Sequence, residues 1–351
     1  MKINTNFDIL ETTLRDGNYI VDFGFTSKDT SNLAFILEKA GINMIEIGHG
    51  LGLGASKKIK PAAAKDEDYV KDTKKTLTTA KIGMFAIPNI ASLEDIKKAA
   101  DLGLDFIRLG VDIENTMLLK DFVNLSRKLN LITYTNFMKS SSVNSKKFSE
   151  YAKIAEDFGS QMIYIVDSAG SMLPRDLKQY IFDLKTKINI PFGFHGHDNI
   201  GMANANSILA FENEALHVDT TILGIGRGSG NASTETIVSI LQNKYAKLRS
   251  INSNYILHIA QKKIEKLLAL QTSKTLSEAF GLASVHTMYM NKIINFSKDN
   301  KVDVFKLVKA IGNLDTVNCD EGIMIKAVNS IKDQNNSDEI EHLDALKFFD
   351  G

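Results

Sequence analysis

Short apolar segments alternate with helical segments along most of the chain, and this alternation constrains the fold more than any other feature of the sequence. Between the apolar segments, residues recur at helical spacing, as Leu33, Ile36 and Leu37 do. Eight strands alternating with eight helices in about 250 residues predict a (β/α)8 TIM barrel, since a doubly wound sheet usually has about five or six strands. The predicted strands are 8–16, 43–48, 81–88, 106–112, 131–138, 162–167, 188–197 and 218–226.

The pattern changes near residue 250, beyond which only helical periods continue. We therefore predict a catalytic barrel domain over residues 1–250 and a smaller helical domain over residues 251–351. Residues 334–338 predict a loop before an acidic terminal helix. The helices predicted before that loop are 255–270, 276–296, 302–311 and 321–331.

The charge balance limits the classes of partner. The 351 residues include 42 Lys and Arg and 42 Asp and Glu, so the formal charge is zero with His neutral. This argues against nucleic acid or an anionic membrane as the main partner, because both attract a basic surface. Neither a spanning helix of roughly 18–20 apolar residues nor a secretory signal is evident. The single cysteine, Cys319, excludes an internal disulfide and a cysteine-based zinc site, and we expect a globular cytoplasmic protein.

Candidate metal ligands lie at the predicted ends of two strands. His195 and His197 end the seventh strand, where residues two apart point to the same side and can bind one cation together. Asp16 ends the first strand and would add a carboxylate at the barrel end where active sites gather. Two His and one Asp suit Mn²⁺, Fe²⁺ or Zn²⁺. A lone surface histidine is usually structural, but a His-x-His pattern at a strand end favours the metal interpretation.

Two arginines and a glycine-rich loop are predicted at the same end of the barrel. Arg15 could stabilise an enolate or carboxylate oxygen, although a salt bridge at the rim is an equally good explanation. The loop from Gly224 to Asn231 lacks the lysine of a P-loop and fits a turn better than a phosphate site, but Asn231 could reach the metal. Arg227 in this loop indicates an anionic group on the substrate, phosphate or a second carboxylate, or again a rim salt bridge.

These motifs together resemble the DRE-type metal-dependent TIM-barrel family, which contains HMG-CoA lyase-like enzymes and pyruvate aldolases. The signature Thr-Leu-Arg-Asp-Gly, the His-x-His motif and the glycine-rich loop are all present. Within the family the chain is most similar to the 4-hydroxy-2-oxovalerate aldolases, the class II pyruvate aldolases, whose helical communication domain the C-terminal part resembles. The segments that carry the resemblance are 13–17, 45–50, 166–170, 195–197, 205–208, 224–231 and 302–328.

The resemblance implies an aldolase that cleaves a 4-hydroxy-2-oxoacid into pyruvate and an aldehyde, or forms it, through a metal-bound pyruvate enolate. Asp16, His195 and His197 would bind the divalent metal. We expect Mn²⁺, with Co²⁺, Mg²⁺ or Zn²⁺ as alternatives, because this ligand set does not select sharply among them.

The resemblance also implies roles for residues that contact the substrate. Arg15 would stabilise the enolate, where negative charge develops as the carbon–carbon bond breaks. Ser168 would hydrogen-bond the substrate carboxylate. His49, Asn136 and Arg227 are further candidates for substrate contact, although His49 could equally support the site from behind.

The chain departs from the family at two catalytic positions. The aldolases have a histidine, the base for the C4 hydroxyl, where this chain has Tyr19, and a tyrosine where it has His286. One hypothesis is that the two side chains meet over the substrate with exchanged roles. His286, with a pKa near neutrality, would then be the general base and Tyr19 would orient it or the hydroxyl. The alternative is that His286 is an ordinary helix residue and Tyr19 contributes to packing.

Two other functions remain open from the sequence. One is a Claisen-type synthase or lyase that uses an acyl-CoA, which His197-Asp198-Asn199 slightly favours and Asn18-Tyr19 disfavours. The other is a scaffold or partner protein whose catalysis has lapsed, which the intact candidate metal ligands disfavour. The resemblance also implies a possible acylating aldehyde dehydrogenase as partner, and we expect a homo-oligomer, a dimer, acting on a small 2-oxoacid and an aldehyde.

Overall fold

Eight parallel strands close into a barrel in the order of the sequence, and β8 pairs with β1. The structure is a computed structural model that describes residues 6–270 and 274–333. It confirms the predicted TIM barrel. The strands are β1 Asp8–Glu11, β2 Met44–Ile47, β3 Lys81–Ala86, β4 Phe106–Asp112, β5 Ile132–Met138, β6 Met162–Asp167, β7 Phe192–Gly196 and β8 His217–Thr220.

Helices follow each strand and cover the outside of the barrel. Ser92 caps the start of α4 with a capping box in which the Asp95 side chain accepts from the Ser92 backbone N–H, and the Asn144 side chain caps α6. The helices of the barrel are α1 Ser27–Lys39, α2 Ala55–Lys58, α3 Asp66–Thr76, α4 Leu93–Asp101, α5 Leu119–Lys128, α6 Ser145–Asp157, α7 Pro174–Lys187, α8 Ala203–Glu212 and α9 Thr234–Tyr245.

The strands β1, β7 and β8 are only about half as long as predicted, and this changes how the site is built. β1 ends at Glu11, and the next residues turn so that the Thr12 carbonyl accepts the N–H groups of Arg15, at 3.0 Å, and Asp16, at 2.7 Å. Arg15 and Asp16 therefore lie on a tight turn rather than on the strand. His197 likewise lies just beyond β7 and forms an isolated bridge with Asn231.

Five further helices follow the barrel: α10 Ser253–Ile259, α11 Lys274–Leu282, α12 Met290–Asn300, α13 Val304–Leu314 and α14 Glu321–Asp333. The prediction of one helix over 276–296 is wrong, because the chain breaks between α11 and α12. Ser284 takes a left-handed conformation with φ 54°, and His286 is extended. The alternative that His286 is an ordinary helix residue is therefore excluded.

Three hydrophobic cores organise the described residues, and the smallest joins side chains of β1, β2, β4, β5 and β6. The barrel core extends into α10 through Ile256 and Ile259. A second core joins α11 to α14 and includes Phe280, Ile293 and Leu307. The division at residue 250 stays a prediction, and the predicted loop at 334–338 and the terminal helix lie outside the described residues. Within the described part, no helix is long and apolar enough to cross a membrane.

Candidate active site

A cavity of about 310 Å³ opens at the C-terminal ends of the barrel strands. Its floor and sides come from the barrel, and its cover comes from the break between α11 and α12 and from the loop after α13. Most of the sequence-predicted site residues line it together. The polar lining residues include Arg15, Tyr19, Asp112, Asn136, Lys139, Ser168, His195, His197, Arg227, His286, Tyr289 and Asn318.

Asp16, His195 and His197 form a buried cluster in which one ligand atom of each lies within 4.8 Å of the others. His195 Nδ1 is 2.8 Å from Asp219 Oδ2, so its Nε2 faces the cluster and lies 3.5 Å from Asp16 Oδ2. His197 Nδ1 is 3.3 Å from the Gly230 carbonyl oxygen, to which it donates as Nδ1–H. Such partners fix the ring orientation and leave Nε2 available for a metal.

The protonation states of the cluster also fit a divalent cation. Burial raises the pKa of Asp16, but the nearby Arg15, His197 and His195 lower it more, so the pKa lies well below its usual range and the group is a carboxylate. Burial lowers the pKa of His197 to about 3, so its ring is neutral. Carboxylate and neutral imidazole are the forms that bind metals. The three residues therefore meet the chemical requirements of a metal site.

Asn231 supports this cluster through its amide nitrogen. Its Nδ2 donates to Asp16 Oδ2 at 2.8 Å, whereas its Oδ1 is buried without a hydrogen-bond partner in the part of the chain that the structure describes. In this orientation the amide holds the carboxylate in place and offers no oxygen to a metal. A direct metal contact by Asn231, as considered from the sequence, needs the amide to rotate by half a turn.

Arg15 is held in place by two carboxylates. Its Nε donates to Glu46 Oε2 at 2.7 Å and its Nη1 to Asp16 Oδ1 at 3.1 Å. The guanidinium also lies 4.9 Å from the centre of the Phe85 ring. The side chain is buried beside the cluster rather than at the rim. It can therefore present a fixed positive charge to an oxyanion formed next to the metal ligands.

A chain of buried charges connects Arg15 to His195, and sequence reasoning missed it. Glu46 Oε2 accepts from both Arg15 and Arg108, the latter at 2.9 Å. Arg108 also donates to Asp219, which holds His195. The signal was present in the sequence, because each of these charged residues interrupts an apolar strand, where charges are expensive unless they are paired.

The remaining candidates for substrate contact divide into two groups. Ser168 Oγ accepts the Lys139 N–H at 2.9 Å, which leaves its own hydroxyl proton for a ligand. Asn136 accepts from Arg108 Nε at 3.3 Å and keeps its amide N–H groups. His49, in contrast, is not among the described residues that line the cavity. It stacks on Phe23 at 3.9 Å, and both ring nitrogens contact the backbone, so these contacts fit the supporting role among the two considered for His49.

Tyr19 and His286 line the same cavity, but Arg227 lies between them. Arg227 Nη2 donates to Tyr19 Oη at 3.0 Å, and Arg227 Nη1 is 3.4 Å from each ring nitrogen of His286. Gly50 allows the tyrosine ring to pack closely, since a Cβ there would be 2.7 Å from Tyr19 Cε2. The hypothesis that the two side chains meet is therefore corrected: the structure connects them through Arg227.

The pKa and the tautomer of His286 differ from those expected of a general base. Burial, with further contributions from Arg227, His197 and Lys139, lowers the pKa of His286 well below its ordinary value. The predicted pKa near neutrality is wrong. Nδ1 accepts the Met288 N–H at 2.9 Å, so the proton of the neutral ring is on Nε2. In this tautomer Nε2 is a donor toward a ligand rather than a base.

Fold and site together define a (β/α)8-barrel protein with a candidate metal centre of two His and one Asp beneath a helical cover. The chain belongs to the HMGL-like family, whose model matches residues 6–264. This confirms the resemblance recognised from the motifs.

Curated relatives are similar over most of the chain. The 4-hydroxy-2-oxovalerate aldolase of Carboxydothermus hydrogenoformans is 33% identical over 319 residues, which are 90% of this chain and 95% of that protein. The oxaloacetate decarboxylase of Mycobacterium tuberculosis is 36% identical over 236 residues, 67% of this chain and 70% of that protein. Both names describe enzymes of the lyase type.

Solved structures share the fold. The N-terminal domain of a Bacteroides vulgatus protein has a TM-score of 0.70 and 25% identity, covering 84% of this chain and 98% of that one. The carboxyl transferase domain of Rhizobium etli pyruvate carboxylase has a TM-score of 0.77 and 14% identity, covering 95% of this chain and 61% of that one. At that identity the second similarity concerns the fold alone.

Proposed function

We propose that this protein is a divalent-metal-dependent aldolase that cleaves a 4-hydroxy-2-oxoacid to pyruvate and an aldehyde, or catalyses the reverse condensation. The observation that carries the proposal is the contact of the Asp16, His195 and His197 cluster with the buried Arg15, beside the cavity that the arginine and the two histidines line. The names of the relatives agree with the predicted enzyme class, a carbon–carbon lyase.

The metal would be held by Asp16, His195 and His197. A divalent cation bound there supplies Lewis acidity toward the 2-oxo group of the substrate. We propose Mn²⁺, with Co²⁺, Mg²⁺ or Zn²⁺ as alternatives, because two imidazoles and one carboxylate suit all of them.

Ser168 and Arg15 fit the pyruvate half of the substrate. The hydroxyl of Ser168 can donate to the carboxylate, since its oxygen already accepts from the backbone. Arg15 is oriented in advance by Glu46 and Asp16, so little reorganisation is needed when negative charge appears on the enolate oxygen. Charge stabilisation by fixed groups of this kind is usually a large part of catalysis.

Tyr19, rather than His286 as in the hypothesis of exchanged roles, is the group we assign to proton transfer at the C4 hydroxyl. Burial raises the pKa of Tyr19, and Asp16 and Glu46 act in the same direction, whereas Arg227 and Arg15 favour the phenolate. In cleavage, Tyr19 Oη takes the hydroxyl proton, and Arg227 stabilises the phenolate that accepts it. His286 orients the C4 hydroxyl of the substrate by donating to its oxygen from Nε2.

The test is pyruvate release from a panel of 4-hydroxy-2-oxoacids by the metal-depleted protein, with and without added Mn²⁺. We expect release that depends on the metal. The absence of release across the whole panel, with protein shown to be folded, would reject the aldolase function. Turnover of an acyl-CoA in the same assay would favour the Claisen-type alternative.

A second candidate function is decarboxylation of oxaloacetate, as the name of the relative from Mycobacterium tuberculosis suggests. The observation that favours it is the occupied Nδ1 of His286, which leaves no neutral imidazole acceptor at that position. Loss of CO₂ gives the same pyruvate enolate but requires no base for a C4 hydroxyl. Pyruvate formation from oxaloacetate, above the rate with the metal alone, tests this candidate.

Three expectations about organisation are proposed with this function: a domain boundary near residue 250, a homodimer and an acylating aldehyde dehydrogenase as partner. Light scattering of the purified protein tests the dimer. Co-purification with a dehydrogenase would support the pairing, whereas a dimer that is fully active alone would count against it.

A further inference from the structure

We propose that the substrate carries a second anionic group, a carboxylate or a phosphate, on the half that becomes the aldehyde, and that Arg227 binds this group. The inference rests on the proposed aldolase function and specifies its substrate class.

Two of the three cations that line the cavity have carboxylate partners. Arg15 contacts Asp16 and Glu46, and Lys139 Nζ is 3.0 Å from Asp112 Oδ2. Arg227 differs from both. Within residues 6–270 and 274–333, no carboxylate oxygen lies within ion-pair distance of its guanidinium, so the rim salt bridge considered from the sequence is not formed there.

The neighbours of Arg227 leave much of its hydrogen-bonding capacity available. Its contacts are the neutral Tyr19 hydroxyl and the neutral His286 ring, and its Nε is buried without a hydrogen-bond partner among the described residues. A guanidinium has five N–H donors in a fixed planar arrangement that matches a carboxylate or a phosphate. Because Arg227 lines the cavity and has no carboxylate partner among the described residues, its guanidinium can offer these donors to a bound anion.

The backbone holds Arg227 in position before any ligand binds. The Arg227 carbonyl accepts the Gly230 N–H at 3.1 Å, and the Ser229 N–H donates to Asn199 Oδ1 at 3.0 Å. Gly228 has φ 66°, and a Cβ there would lie 2.5 Å from Asn199 Oδ1. The loop is therefore tightly fitted, and pre-organisation of this kind favours binding.

The position of Arg227 points to the aldehyde half of the substrate. Ser168 and Arg15 are assigned to the pyruvate half. Arg227 instead contacts Tyr19, the residue assigned to the C4 hydroxyl, and shares the cavity wall with the apolar Leu51 and Ile87. A purely apolar aldehyde would fit that wall but would leave the guanidinium without a counter-charge. An aldehyde with a terminal anionic group would place its carbon atoms against the apolar wall and its charge beside the guanidinium.

The first experiment measures substrate preference of the wild-type enzyme with Mn²⁺ in the condensation direction. Pyruvate is combined with glyoxylate or acetaldehyde, and in a second arm with glycolaldehyde phosphate or glycolaldehyde. We expect kcat/KM to be about 10- to 100-fold higher for the anionic member of one pair, the range for hydrogen bonds to a charged group. The arm that shows the preference distinguishes carboxylate from phosphate. Equal or higher kcat/KM for both neutral aldehydes would overturn the inference.

The second experiment asks whether Arg227 causes the preference. Arg227→Gln should reduce the ratio of anionic to neutral kcat/KM to near one, although both rates can fall because Tyr19 loses its partner. Arg227→Lys keeps the charge and should keep part of the ratio. Arg175→Gln, at a side chain that is 82% exposed on α7, is the matched control and should leave the ratio unchanged. An unchanged ratio in Arg227→Gln would overturn the inference.

Failure of this inference can be separated from failure of the proposed function. Exchange of the pyruvate methyl protons with solvent deuterium reports enolate formation and involves no aldehyde. Exchange without anionic preference would reject only the role of Arg227. Absence of exchange together with absence of pyruvate release would reject the aldolase function, and this inference with it.

Discussion

Arg227 donates a hydrogen bond to the phenol oxygen of Tyr19 at 3.0 Å, and its guanidinium carbon lies 4.4 Å from the centre of the tyrosine ring. The two residues come from opposite ends of the barrel sequence, the turn after β1 and the loop after β8. Because β8 pairs with β1, closure of the barrel brings them together. A cation in contact with a phenol favours the phenolate, so this pair can serve as a proton-transfer unit in a chain that has Tyr19 where the aldolases have a histidine.

Replacement of Tyr19 by Phe removes only the hydroxyl and should lower kcat for cleavage by about 10²–10⁴-fold, the usual contribution of a general acid or base. Metal affinity should stay unchanged, since Tyr19 is not in the Asp16 cluster. Tyr255→Phe, at an exposed position on α10, is the control. Steady-state pyruvate release checks the result, and wild-type activity in Tyr19→Phe would refute the assignment.

The pH dependence of cleavage distinguishes Tyr19 from His286 as the base. The pKa of Tyr19 is raised by burial, so the phenolate is the minor form at neutral pH and its population increases with pH. The kcat for cleavage should therefore rise about tenfold per pH unit between roughly pH 7 and 9. The pKa of His286 is lowered well below its ordinary value, so an imidazole base would already be unprotonated and give a flat profile over that range.

Replacement of His286 by Asn tests its role as an orienting donor. We expect a loss of about tenfold in kcat, the order of one neutral hydrogen bond, with the shape of the pH profile unchanged. His258→Asn, exposed on α10, serves as the control. A loss of about 10²–10⁴-fold would instead return His286 to the role of general base.

Replacement of Asp219 by Asn should weaken metal binding without removing a ligand. Asp219 fixes the His195 ring through Nδ1, and loss of such a partner typically lowers metal affinity by about 10- to 100-fold. Calorimetric titration of the metal-depleted protein with Mn²⁺ measures the change. Asp101→Asn, at the exposed end of α4, is the matched control. Equal Mn²⁺ affinities of Asp219→Asn and the wild type would contradict the conclusion that Asp219 supports the metal site through His195.

The sequence was sufficient to predict the barrel and the residues that cluster at its end. The alternating pattern identified all eight strands, and barrel closure then brings Asp16 close to His195 and His197. The sequence pattern could not predict the turn at Arg15, because a run of apolar and polar residues does not reveal where the hydrogen bonds between strands stop.

Long-range contacts account for the other differences. The buried pairing of Glu46 and Arg108 joins residues 62 positions apart, and local patterns carry no information about such partners. Local patterns also fail to reveal the break before α12, since residues 276–296 have a helical period throughout. The chain leaves the helix at Ser284 and places His286 over the barrel.

Deuterium incorporation into pyruvate tests the central claim most directly, namely that the cluster of Asp16, His195 and His197 supports formation of a pyruvate enolate. The metal-depleted protein is incubated with pyruvate in deuterated water, with and without Mn²⁺, and the pyruvate mass is measured by mass spectrometry. We predict incorporation that requires both the metal and the wild-type protein and is lost in His195→Ala. No incorporation above the rate with Mn²⁺ alone, or full incorporation by His195→Ala, would contradict the account.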